Sequence, residues 1–300
     1  MTFIISLGNA DQIIQVSDRR LTSNSDLVDD SFNKVGHVLC DDASFLYSFT
    51  GLATFGKHKT NEWLLQAFDR SIRNGSNYSN IAYSLAAEAT DYFRNSTELK
   101  KLSGRDRRLT IMLSGYTASG LLVNTLITNF QDYENGIDFP DAKDCFTVRT
   151  EESIKTVSEN PVFIQVIGQF NAFRLEDEAE LRGMLKDRIS FEAIIQKAVG
   201  VVQKVSENTV SRQTVGKKIN TARLPFSDLP CAVSGYFSDI LENEIHLIDQ
   251  IDLRTGGPRL RISDVKLVCE SPIVFPKIHR NANCPCGSGL KYRLCHRPKR

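Results

Sequence analysis

Two groups of residues in this 300-residue chain have the types and spacing to do chemistry, one at each end. Near the C-terminus, Cys284, Cys286, Cys295 and His296 form a C-x-C, eight residues, then C-H pattern. Four soft or borderline donors suit tetrahedral Zn²⁺, and Gly287 and Gly289 let the chain turn tightly enough to bring the two pairs together. A closed four-ligand site leaves no position for a catalytic water. The metal is therefore expected to be structural, supplying folding energy that about twenty residues cannot draw from a core. At the other end Met1 precedes Thr2, and methionine aminopeptidases usually remove Met before a residue as small as threonine. Removal exposes an α-amine whose ordinary pKa of ~7.7–8.0 lets it accept the hydroxyl proton near neutral pH, a self-contained nucleophile and base. A retained Met1 would bury that base in a peptide bond. Many proteins begin Met-Thr without being catalytic, so Thr2 by itself decides nothing.

Other chemistries lack their signatures. His37, His58, His246 and His279 show neither H-E-x-x-H nor paired ligand spacing and read as structural. There is no G-x-x-x-x-G-K-[ST], no G-x-G-x-x-G after a strand and no G-x-S-x-G elbow, which argues against ATP, dinucleotide and α/β-hydrolase sites. Lys plus Arg number 37 against 36 Asp plus Glu, so the whole chain makes no electrostatic case for nucleic acid or an acidic membrane. No stretch approaches the ~18 apolar residues of a membrane span, and the N-terminus lacks a signal peptide's basic region and cleavage site, which points to the cytoplasm. Cys40, Cys145, Cys231 and Cys269 are too scattered for a secreted disulfide framework and are expected to be buried thiols.

The elements that must position these groups follow from periodicity. Thr2–Leu7 and Gln12–Ser17 are β-rich runs flanking Gly8-Asn9-Ala10-Asp11, which reads as an opening hairpin. Phe45–Phe49, stopped at Gly51, reads as a strand that Val38–Cys40 can pair with, giving a small sheet by residue 50. Helical spacing runs through Glu62–Arg73 and Ile81–Phe93. Leu109–Ser114, Leu121–Thr128, Cys145–Arg149 and Val162–Ile167 are then strand-like and are expected to form a second sheet. Helices return over Glu176–Asp187 and Phe191–Val205, followed by extended Cys231–Tyr236 and Glu244–Ile248. Strands, two helices, strands, two helices, strands is an α+β order. Two sheets face to face with a helix pair outside each would bury every apolar face, so a four-layer αββα sandwich is expected. The expected organisation is residues 1–270 as one domain, 271–282 as a linker broken by Pro272 and Pro276, and 283–300 as the zinc knuckle.

The run Asn283-Cys284-Pro285-Cys286-Gly287-Ser288-Gly289-Leu290-Lys291-Tyr292 through Cys295-His296 resembles the SEC-C motif, the zinc-binding tail of the bacterial translocation motor. The likeness covers about Asn281 to Pro298 and implies zinc binding and contacts with partner proteins or ribosomes. Lys291, Arg293, Arg297, Lys299 and Arg300 make the tail locally basic, suited to an acidic partner or RNA phosphate. The same charges can equally be a solvated face around a metal staple.

At the N-terminus, Ser17-Asp18-Arg19-Arg20-Leu21-Thr22, Phe32-Asn33-Lys34-Val35 and Phe49-Thr50-Gly51-Leu52-Ala53 resemble the opening of proteasome β-type subunits and of the bacterial proteasome-like protease HslV. Asp18 lies sixteen residues after Thr2 and Lys34 thirty-two after it, the family's spacing once Thr2 is the first mature residue. The resemblance implies an N-terminal-nucleophile (Ntn) hydrolase. In that family's scheme Thr2 Oγ attacks a peptide or amide carbonyl with its α-amine as base, and Lys34 lowers the hydroxyl pKa. Asp18 orients and pairs with Lys34, and the Gly51 N–H stabilises the oxyanion. Each residue also has an ordinary reading: Asp18 as a strand-end charge beside Arg19 and Arg20, Lys34 as a solvated lysine, Gly51 as a left-handed turn. The pattern loosens at Val166-Ile167-Gly168-Gln169, where Gln169 stands for the family's serine. It loosens again at Ser211-Arg212-Gln213-Thr214-Val215-Gly216, where Ser211 and Thr214 stand for its Asp and Ser.

Two functions follow. One is a cytoplasmic threonine-type peptidase or amidohydrolase acting on a peptide or protein, assembled as a homo-oligomer, served by a separate ATPase if one is needed, with the zinc tail recruiting a partner. The other is a catalytically inactive scaffold or adaptor that binds protein, ribosome or RNA through the zinc motif.

Overall fold

The structure is a computed structural model that describes the chain except for residues 1, 24–25, 133–136, 154–159, 209–210, 212–213, 227–231, 239–241, 256–259, 264, 274–280, 282–290 and 292–300. The chain opens with β1 (Phe3–Gly8) and β2 (Gln12–Asp18), an antiparallel hairpin in register Ile4 to Ser17. Its turn is fixed by Asn9, whose side-chain oxygen accepts from the N–H groups of Asp11 and Gln12, both at 3.0 Å. Both strands are buried along their whole length. Phe3, Ile5, Leu7, Ile14 and Val16 face a helix pair, while Ile4 and Ile13 face a second sheet. Strands covered on both faces carry apolar residues on both, and here Ser6, Gln12, Gln15 and Ser17 are buried among them.

Next come β3 (Val35–Leu39) and β4 (Ala43–Gly51), then α1 (Thr60–Ser71) and α2 (Tyr78–Asn95). Asn77 caps α2 by accepting from the Asn80 N–H at 2.8 Å. The buried residues of α2, among them Ile81, Leu85, Ala89 and Phe93, recur at three- to four-residue spacing. They pack with Trp63, Leu64 and Phe68 of α1 onto Phe45, Tyr47 and Phe49 of β4. Strands β5 (Leu109–Thr117), β6 (Leu122–Thr128), β7 (Thr147–Ser153) and β8 (Phe163–Gly168) follow. Helices α3 (Leu175–Lys186) and α4 (Phe191–Glu207) come next, then β9 (Ile219–Pro225), β10 (Val233–Phe237), β11 (Asp249–Asp252) and β12 (Leu260–Ile262).

One sheet has the order β8-β1-β2-β9-β10 and the other β7-β6-β5-β4-β3-β11-β12. All pairings in them are antiparallel except β3 with β11. Helices α3 and α4 cover the first sheet and α1 and α2 the second, and the sheets meet through Ile13, Leu46, Ala222 and Leu224 and through Ile4 with Met112. This is the expected αββα sandwich.

The assignment of strands to sheets differs from expectation. The hairpin β1–β2 and the pair β3–β4 lie in opposite sheets, β5 to β7 extend the sheet begun by β3 and β4, and β8 returns to the sheet of β1. Local pattern specifies a strand but not its neighbour, which depends on pairing across the fold. Strand β9 carries no strand signal, with polar residues at Asn220, Thr221 and Arg223 and a closing Pro225, yet it sits in the middle of its sheet between β2 and β10. The segment Glu242–His246 is extended but pairs with Lys266–Ile273 instead of joining either sheet. Of the cysteines expected to be buried, Cys40 is, whereas Cys145 is exposed in the connection that leads into the edge strand β7. Cys231 lies outside the described residues.

Candidate active site

The site is built where β1, β2 and β8 end together. Asp18, the last residue of β2, is fully buried, and its carboxylate accepts from four donors. Oδ1 takes the Phe3 N–H at 2.9 Å; Oδ2 takes the Arg20 N–H at 3.0 Å, the Gly216 N–H at 3.2 Å and the Lys34 ammonium at 3.2 Å. A buried carboxylate needs such a set, because an ion without partners in this environment is prohibitively costly. Lys34, which immediately precedes β3, is 2% exposed and also donates to the Arg20 carbonyl at 2.6 Å. Burial pulls the Lys34 pKa below its ordinary value, and the charge and hydrogen bond of Asp18 oppose that shift. Asn33 fixes the approach of this segment. It donates to the Leu247 carbonyl at 3.2 Å and accepts from the Asn220 side chain at 3.2 Å.

Thr2 is 6% exposed and lies one residue before the backbone N–H that Asp18 binds. Its carbonyl accepts the Gln169 N–H at 2.9 Å, continuing the pairing of Phe3 with Gly168. Gly168 has φ +93°, and a Cβ there would lie 1.8 Å from the Thr2 carbonyl oxygen and 3.2 Å from Thr50 Oγ1. Only glycine lets β8 turn so close to Thr2, and the same turn brings Thr50, near the end of β4 in the other sheet, against it. Gly51 closes β4 with φ +104°. A Cβ there would sit 2.1 Å from the Arg108 carbonyl oxygen, which accepts the Leu52 N–H at 2.8 Å. Thr2, Gly168, Thr50 and Gly51 thus follow one another around the ends of β1, β8 and β4, with Asp18 joining the Phe3 N–H to Lys34.

A second chain of contacts leads away from Thr2. The Gln169 side-chain amide reaches Thr214 Oγ1 at 3.5 Å, and Thr214 Oγ1 donates to the Ser211 carbonyl at 3.2 Å. That carbonyl also accepts the N–H groups of Thr214 and Val215, both at 2.8 Å, making a tight turn whose next residue, Gly216, meets Asp18. A Cβ on Gly216 would lie 2.7 Å from Arg20 Cβ, so glycine permits this approach. Motif reading included Arg20, Thr50, Gly168 and Gly216 within its runs but assigned them no role. Except for Thr50, which meets the Gly168 turn through its hydroxyl, their part here is played by backbone groups and by the lack of a side chain, which spacing cannot reveal. The available signal was the glycine in the runs that hold Thr50, Gly168 and Gly216; the run with Arg20 offers none.

Among the described residues no group of three or more His, Cys, Asp or Glu side chains is arranged to hold a metal ion. Cys284, Cys286, Cys295 and His296 lie outside the described residues, as does Met1. No helix among the described residues is long and apolar enough to cross a membrane.

Comparison with solved structures places the sandwich. Anbu, an ancestral β-subunit from Yersinia bercovieri, superposes with a TM-score of 0.51 at 15% identity over 79% of this chain and 87% of its own. Anbu from Pseudomonas aeruginosa, solved as a helical assembly, gives 0.51 at 14% identity over 79% and 87%. Anbu from Hyphomicrobium sp. strain MC1 gives 0.51 at 9% identity over 79% and 88%. This is the proteasome-like Anbu fold. At such low identity the likeness speaks for architecture alone. Residues 280–298 match the SEC-C motif. The protein translocase subunit SecA of Acinetobacter baylyi is 42% identical over 48 residues, 16% of this chain but 5% of that protein. The chain therefore joins a proteasome-like sandwich to a SEC-C motif.

Proposed function

We propose that this chain is a threonine-nucleophile peptidase or amidohydrolase that works through Thr2 after removal of Met1. The observation that carries the reading is the buried Asp18–Lys34 pair bonded to the backbone of Phe3, directly beside Thr2. A strand-end charge and a solvated lysine would both be exposed, and these are not. In this reading Thr2 Oγ attacks the substrate carbonyl carbon and passes its proton to its own α-amine, directly or through a water. The C–N bond breaks, the leaving amine takes that proton, and water then hydrolyses the Thr2 ester to release the acid and restore the hydroxyl. The Lys34 cation lowers the hydroxyl pKa, Asp18 keeps Lys34 charged and in place, and the Gly51 N–H stabilises the oxyanion. Shotgun profiling of a peptide library incubated with the full chain tests this. Cleavage by wild type that Thr2→Ala abolishes supports it; identical profiles with and without Thr2 would sink it.

The tail adds a structural Zn²⁺ on Cys284, Cys286, Cys295 and His296, a donor set of the right softness and number. Its basic residues Lys291, Arg293, Arg297, Lys299 and Arg300 serve contacts with a protein or ribosome partner. Assembly into a homo-oligomer accords with the helical assembly of the Pseudomonas protein, and a separate ATPase would be required only for folded substrates. The setting is cytoplasmic.

A second reading keeps the fold without turnover, as a scaffold or adaptor acting through the tail. The Gln169–Thr214–Ser211 chain favours it, because neutral amide and hydroxyl groups stand there in place of a carboxylate that could hold an ammonium.

A further inference from the structure

The layer between the two sheets contains polar side chains that the active-site reading does not use. Gln15, in the middle of β2, is 0% exposed, and among the described residues neither oxygen nor nitrogen of its amide meets a hydrogen-bonding partner. Ser48, in the middle of β4, is also 0% exposed, with its hydroxyl likewise unmatched. An unsatisfied buried polar group costs about 1–3 kcal/mol, and these two side chains carry three such atoms.

The pleat places both groups on facing surfaces. Ile14 and Val16 point to the α3–α4 side and Ile13 points to the other sheet, so Gln15 shares the inner face with Ile13. Tyr47 and Phe49 point to the α1–α2 side and Leu46 inward, so Ser48 shares the inner face with Leu46. Register aligns them further. Ser6, the cross-strand partner of Gln15, donates to Ser114 across the layer at 2.9 Å, and Ser114 pairs with Leu46, two residues from Ser48. Ile13, on the same strand as Gln15, packs in one cluster with Leu46. The strand neighbours of Gln15 are the small Ser6 and Ala222, which leave volume beside the amide that a larger pair would fill.

We propose that the amide of Gln15 and the hydroxyl of Ser48 hold internal water between the two sheets. A buried water makes two to four hydrogen bonds to polar groups, and an amide with two donors and a carbonyl oxygen, facing a hydroxyl, supplies them. Sheets packed about 10 Å apart leave a Gln and a Ser side chain short of filling the space by themselves. This site is independent of whether Thr2 is catalytic.

The test is a crystal structure of the full chain at a resolution that shows ordered solvent, together with one of Ser48→Ala. Solvent density within hydrogen-bonding distance of both the Gln15 amide and the Ser48 hydroxyl, displaced or lost in Ser48→Ala, is the expected result. A dry layer in which the amide bonds to Ser48 or another protein group would overturn the proposal. So would a water that stays in place when Ser48 is truncated.

Discussion

Replacing Asp18 by alanine should unfold this protein more readily than any other single change at the site, and the structure allows the size to be worked out. The substitution orphans the N–H groups of Phe3, Arg20 and Gly216 and, among the described residues, leaves buried Lys34 the Arg20 carbonyl alone as acceptor. Breaking one side of a buried ion pair costs about 3–5 kcal/mol. At about 2–4 °C per kcal/mol for a domain of this size, the melting temperature should fall by about 6–20 °C. Lys34→Met should cost less, because the Asp18 carboxylate keeps its three backbone donors. The pH response of Asp18→Ala follows from the same geometry. Asp18 is what opposes the lowering of the Lys34 pKa by burial, so without it the folded pKa drops further below the unfolded value of ~10.4. Between those two values the unfolded chain binds more protons than the folded one, and stability rises with pH. The deficit of Asp18→Ala relative to wild type should therefore shrink from neutral pH towards pH ~10. Thermal unfolding followed by circular dichroism across that range reads all three effects. A Tm within about 2 °C of wild type, or Lys34→Met costing more than Asp18→Ala, would refute the picture of a desolvated pair held mainly through the carboxylate.

Three other outcomes are expected. Gly168→Ala places a Cβ 1.8 Å from the Thr2 carbonyl at φ +93°, and should cost at least about 2 kcal/mol in denaturant unfolding while displacing Thr2 from any reactive geometry. His37 and His58 are held neutral by burial with pKa values of about 4, each beside a hydroxyl and with only Asp252 or Glu98 as an opposing charge. Their folded pKa lies below the unfolded ~6.5, so stability is full above pH 6.5 and is lost as pH falls towards 4, by up to about 3 kcal/mol for each histidine. A Tm profile flat over that interval, or one unchanged in His37→Asn and His58→Asn, would contradict this. Metal analysis of the full chain should find one zinc per chain, lost in Cys284→Ser with little change in the Tm of the sandwich; a metal-free wild type purified without chelator would remove the zinc assignment.

How much was legible in the sequence depended on which kind of information a feature needs. The helices α1 to α4 announce themselves by an apolar face at a fixed period, and strands β1, β2, β4, β5 and β6 by β-rich runs bounded by turn residues. Strand β9 was invisible because its place between β2 and β10 is set by pairing partners, and Asn220 serves Asn33 rather than the core. The division of strands between sheets was likewise unreadable, since Phe45 and Ile5 look alike locally while packing on different helix pairs. At the site, motif spacing selected Thr2, Asp18, Lys34 and Gly51. What surrounds them is backbone: the Gly216 and Arg20 N–H groups on Asp18, the Arg20 carbonyl on Lys34, and the Gly168 turn against Thr2. Backbone groups are the same in every residue, so only the fold can assign them.

The central claim is that Thr2 is a nucleophile with a free α-amine, and one measurement reaches it directly. The purified chain is exposed to a peptide epoxyketone, which reacts with both the hydroxyl and the amine of an N-terminal threonine, and its intact mass and N-terminal peptide are determined. The account predicts a chain that starts at Thr2 and gains one inhibitor mass on that residue, with no adduct in Thr2→Ala. A chain that retains Met1, or a free Thr2 that stays unmodified at saturating inhibitor, contradicts it.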